Sequence, residues 1–172
     1  RIQMTHPNVL DIILLLATGL GAVYLIWRFW KRWSWEKAVY VWYYIMGFAV
    51  LFVSGVLLIF MGYDILGTPF VLTVASLIPL GISMGIAEQY YPDWKKPFKW
   101  FATIGFLAIA LSSFLGWELV RKFSVPLFHG VAGLVIFLGP FFVNRLKQAK
   151  KAAQGFEWVG VGGALIGIGG IA

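Results

Sequence analysis

The sequence predicts an all-α integral membrane protein, a single domain over residues 1–172 built as a bundle of about six transmembrane helices. Three observations predict it. Of 172 residues, 60% are hydrophobic and only 12% are charged, with mean hydropathy +0.84; soluble globular proteins carry about 25% charged residues. The apolar residues gather into six stretches, most of them long enough to cross a hydrocarbon core of about 30 Å as helices. The basic residues crowd onto alternate connections between those stretches. So little charge cannot cover a water-soluble surface, which excludes a soluble enzyme, a disordered tail and a nucleic-acid-binding domain. The formal net charge of +7 therefore reads as membrane topology, and no nucleic-acid partner is expected.

The first stretch runs from about Val9 to Phe29 and the second from about Ala38 to Met61. The third covers roughly Ile65 to Glu88, with a kink expected at Pro79, because a mid-helix proline removes a backbone hydrogen bond. The fourth covers Phe98 to Val120 and the fifth Val125 to Val143, with Ser124 as helix cap and Pro126 in the first turn. The sixth begins near Phe156 and runs to Ala172, at the lower length limit, so five spans are the alternative. It is a ladder of glycines in which Gly163 and Gly167 form a Gly-xxx-Gly pair. Such pairs suit close helix packing, within the bundle or in a homo-oligomer or larger membrane complex. Arg1 to Asn8 lacks the features of a removable signal peptide.

Orientation follows from charge. Arg28, Lys31, Arg32 and Lys37 flank the first connection, Lys95, Lys96 and Lys99 lie in the third, and Arg145, Lys147, Lys150 and Lys151 lie in the fifth. Only Arg1, Arg121 and Lys122 fall on the other side, so eleven basic residues oppose three. The positive-inside rule then puts the odd connections in the cytoplasm and the N-terminus outside, in a cell membrane. Eight of the nine tryptophans, Trp117 excepted, fall near the basic ends. That pattern fits an interfacial aromatic belt facing anionic lipid. Glu88 is expected to pair with Lys95 or Lys96 at this face.

Ionisable groups in or beside a span are costly, and so they point to function. His6, Asp11, Asp64, Glu118, Arg121 and His129 all map to the outer ends of spans. His129 is placed inside the membrane about one turn from the surface, with Gly133 on the same helix face leaving room for a flat ring. A neutral imidazole there could ligate a haem b iron or donate to a quinone oxygen; the alternative is a structural histidine bonded to a carbonyl or to Glu118. His6, before the first span, would be a second axial ligand. Asp11 is either part of this outer site or a helix cap. Glu118 has Arg121 and Lys122 at pairing distances along a helix. With no cysteine, thiolate metal sites and iron–sulfur clusters are excluded. No nucleophile, zinc-protease or phosphate-loop signature occurs.

Three readings follow. In the first, the chain is a small polytopic subunit without catalytic activity of its own, holding a haem or quinone near the outer leaflet through His129. In the second, it carries a small solute or protons, using Asp11, Asp64 or Glu118 and the helix kinked at Pro79. In the third, it is an assembly subunit whose contacts are the glycine ladder and the aromatic belt.

Overall fold

The computed structural model describes residues 7–143 and 156–161. Among them the chain is helical throughout and carries five helices long and apolar enough to cross a membrane. It is an all-α integral membrane bundle. The sixth expected stretch enters the described residues only at 156–161, so Gly163 and Gly167 lie outside them.

The first helix, α1, spans Val9–Glu36. Asn8 and Asp11 close its start as a reciprocal capping box: the Asn8 side chain accepts from the Asp11 N–H at 2.9 Å, and Asp11 accepts from the Asn8 N–H at 3.0 Å. This satisfies two otherwise orphaned donors. The helix runs seven residues past the expected Phe29, because the basic–aromatic run continues as an interfacial helix rather than a loop. There Arg32 pairs with Glu36 at 2.9 Å, Tyr40 also donates to Glu36, and the Lys31 ammonium sits 3.9 Å above the Trp27 ring. Lys37 then turns the chain in the left-handed region, with φ 48°. Helix α2, Val39–Met61, matches its expected bounds and ends at Gly62, φ 77°.

The third span is in two pieces. After a 3-10 turn over Tyr63–Gly67, α3 runs Pro69–Ala75 and α4 runs Leu77–Tyr90. The interruption falls at Ser76, one turn before Pro79, where the kink was expected. Pro79 lacks the N–H that would bond the Ala75 carbonyl, and its ring presses on that carbonyl, so the distortion lands on the preceding turn. Ser76 closes the gap by donating its hydroxyl to the Thr73 carbonyl at 2.7 Å.

Two boundaries differ from expectation. Helix α5 spans Lys95–Phe114, ending six residues before the expected Val120. Gly116 makes the turn there with φ 69°, a conformation glycine adopts without strain. Helix α6 starts at Glu118 and ends at Phe142, seven residues earlier than the expected start at Val125. Ser124 is therefore not its cap but a buried side chain within it, and Pro126 lies inside the helix. Glu118 belongs to the first turn of α6 rather than to the end of the fourth span, and a carboxylate suits that helix end.

Helix α4 is the hub. In the span Pro69–Tyr90, 56% of the apolar window is buried, against 11% in α1. Helix α4 packs on α2, α5 and α6, whereas α1 packs on α2 alone among the described elements. The α2–α4 seam is a mutual close approach of two glycines. A Cβ on Gly81 would stand 3.0 Å from the Tyr43 carbonyl and 3.2 Å from the Gly47 nitrogen. One on Gly47 would stand 3.3 Å from the Ile78 carbonyl. One turn along, the Tyr44 ring lies 2.6 Å from where a Gly85 Cβ would be. Small residues are what let membrane helices meet backbone to backbone.

At the basic end Tyr40, Val41, Tyr44, Ile45, Ile86, Tyr90 and Val143 form one core cluster, and Glu88 pairs with Lys95 at 3.8 Å as expected. Tyr91, just past α4, donates its hydroxyl to the Gly139 carbonyl of α6 at 2.6 Å. Burial raises this phenol above its ordinary pKa. A raised acid stabilises the fold while protonated. Its contribution is therefore complete below pH of about 10 and lost as pH climbs through the higher folded value. Tyr91→Phe is expected to cost about 0.5–1.5 kcal/mol and to remove that alkaline loss. Denaturation midpoints of both proteins at pH of about 8 and about 11 check it. Equal midpoints for the two proteins at the lower pH would contradict it.

Candidate functional site

The polar residues expected at the outer ends divide between α1, the 3-10 turn and α6. Asp11 caps α1 and lies near Tyr63, whose pKa is raised by desolvation and by that carboxylate. Asp64 is exposed in the 3-10 turn. Glu118 and Arg121 lie in the first turn of α6, and neither Arg121 nor Lys122 comes within 4.0 Å of Glu118. Because α1 packs on α2 alone, Asp11 is held apart from the α6 group. His6 lies outside the described residues. Among the described residues no three histidine or acidic side chains gather to hold a metal ion.

His129 stands by itself, and deeper than the sequence suggests. It follows Lys122 by seven residues, about 10 Å along a helix, and so sits two turns, not one, below the last charge. It is part-exposed. Its Nδ1 is enclosed and has no hydrogen bond of acceptable geometry, and the Val125 carbonyl one turn earlier is the polar group acting on the ring. The remaining accessible edge of the ring carries Nε2.

The local sequence explains this pose. Phe128 and Ala132 turn inward: the Phe128 ring occupies the place of a Gly105 side chain and lies 4.8 Å from the Phe101 ring, while Ala132 is fully buried. This anchors one face of α6 on α5 and rotates the neighbouring face outward. On that outer face, side chains at Gly130 and Gly133 would meet nothing within 4 Å. The expected His129–Gly133 face is thus an open strip with an imidazole at one end.

Serine and threonine side chains form a feature that the sequence did not single out. Thr73, Ser112, Ser113 and Ser124 are all buried, in or beside α5, which packs on both α3 and α6. Two of them, Thr73 Oγ1 and Ser113 Oγ, lack hydrogen-bond partners. An unsatisfied hydroxyl in an apolar span costs free energy. The sequence signal was the Ser112-Ser113 pair at a span end and the threonine just before Pro79. No protein-family model, curated protein or solved structure matches the chain.

Proposed function

We propose that the chain is a small polytopic membrane subunit that holds a flat, redox-active ring, a haem b or a quinone, against the open strip of α6. The supporting observation is the pose of His129. With Nδ1 enclosed and without a hydrogen-bond partner, Nε2 is the ring nitrogen left for a ligand, carrying the lone pair in one neutral tautomer and the N–H in the other. The bare backbone at Gly130 and Gly133 gives a planar group room to lie along the helix. An ionisable side chain this far into a span is a functional-site candidate on energetic grounds.

A haem iron would be held by the Nε2 lone pair, and a quinone oxygen would accept a hydrogen bond from Nε2–H in the other tautomer. The test is an absorption spectrum of protein purified in mild detergent, oxidised and then dithionite-reduced, paired with solvent extraction for quinone. A Soret band that changes on reduction, or quinone near one per chain, is expected. Neither signal would overturn the reading.

The break at Ser76 and the unpartnered Thr73 and Ser113 hydroxyls favour a second reading, passage of a small solute or protons. Interrupted helices line such paths in carriers. Thr73→Val, Asp64→Asn and Glu118→Gln would then each slow dye-reported proton flux into liposomes several-fold. Flux equal to that of the unaltered protein in all three would remove this reading.

A further inference from the structure

A large hollow with a predominantly apolar lining is unrelated to His129. It lies at the basic end, where α4, α5 and α6 meet, and has a volume of about 600 Å³. Tyr91, Trp94 and Phe98 wall it from the α4–α5 corner, and Leu134, Leu138 and Phe142 wall it from α6. The Tyr91–Gly139 hydrogen bond closes one side and fixes its shape.

Charge at its mouth is mainly basic: three lysines against Glu88 and Asp93. Trp94 caps α5, whose first turns carry Lys95, Lys96 and Lys99. Glu88 takes Lys95, while Lys96 and Lys99 have no carboxylate within 4.0 Å among the described residues. An apolar trough at headgroup depth, rimmed by cations and an indole, matches an acyl chain joined to a phosphate. A second copy of the chain would bring the same cations face to face, which disfavours it as occupant.

We infer that this groove is a selective site for one anionic phospholipid, whose acyl chain fills the hollow while its phosphate meets Lys96 and Lys99. The site acts independently of any ring held at His129. It differs from the general lipid annulus in being shaped on three sides by protein and in selecting headgroup charge.

Native mass spectrometry of the full chain, incubated with equimolar dioleoyl phosphatidylglycerol and dioleoyl phosphatidylcholine, tests this. One retained phosphatidylglycerol is expected, at about tenfold over phosphatidylcholine, the ratio that 1.4 kcal/mol produces. The double variant Lys96→Gln, Lys99→Gln should erase that preference. Leu134→Trp, which plugs the hollow, should lose the retained lipid, whereas Leu20→Trp on the exposed side of α1 should keep it. Equal retention of the two lipids, an unchanged preference in the lysine double variant, or a dimer in place of the adduct would each overturn the site. If Leu134→Trp fails to fold, the lysine variant decides, since it touches only surface charge.

Discussion

Gly81→Leu is expected to pull α2 and α4 apart and to lower stability more than any other single substitution along that seam. The new side chain would meet backbone on both sides, the Tyr43 carbonyl at 3.0 Å and the Gly47 nitrogen at 3.2 Å. Neither can rotate away, unlike the Tyr44 ring that faces Gly85. Overpacking a well-fitted interior costs about 1–3 kcal/mol, and a leucine lodged against backbone belongs at or above the upper end. In a membrane no hydrophobic gain between helices offsets it, because lipid solvates the leucine equally well. Thermal unfolding midpoints in one detergent read the effect. Gly21→Leu, where nothing lies within 4 Å, serves as the control and should leave the midpoint in place. A midpoint for Gly81→Leu equal to that control would contradict the seam.

His129→Ala is expected to abolish the bound ring while leaving the bundle assembled. The side chain is part-exposed and its Nδ1 makes no sound hydrogen bond, so its removal deletes little packing. Pigment or quinone per chain should fall from about one to background with an unchanged unfolding midpoint. His129→Gln separates the two ligands: an amide can still donate to a quinone oxygen but cannot serve as a haem axial ligand. Full retention of the ring in His129→Ala would take the residue out of the site.

Helices were legible where composition alone decides them. The second stretch was expected at about Ala38 to Met61 and is Val39–Met61, since more than twenty apolar residues between a basic cluster and a glycine allow little else. The stretch around Gly116 to Pro126 misled for a physical reason. Arg121 and Lys122 look like loop residues, but long basic side chains at a helix start can snorkel to the interface while the backbone stays helical. The turn was marked instead by Gly116, whose positive φ left only a lone glycine in the sequence. That error made His129 seem one turn deep when it is two.

The packing was half legible. Gly81 and Gly85 have the same Gly-xxx-Gly spacing as Gly163 and Gly167, but the proximity of Pro79 drew attention to kinking rather than contact. Gly47, which faces Gly81, carries no signal, because a single glycine gains meaning only from the helix laid across it. The strip at Gly130 and Gly133 was similarly hidden, since which face of α6 turns outward depends on Phe128 finding the gap at Gly105.

The restricted contacts of α1 bear on how the molecule is made. Helices α1 and α2 leave synthesis as neighbours joined by two residues and can pack on each other at once, although the other side of α2 waits for α4. Helices α5 and α6 form a second local hairpin. Between them α4 emerges with no sequence neighbour able to complete its packing, and it must be received by one hairpin and then clasped by the other. Biogenesis therefore has one vulnerable interval, from the release of α4 until α6 arrives. A cell's quality-control machinery would find its target in the glycine-rich, proline-interrupted face of that one helix.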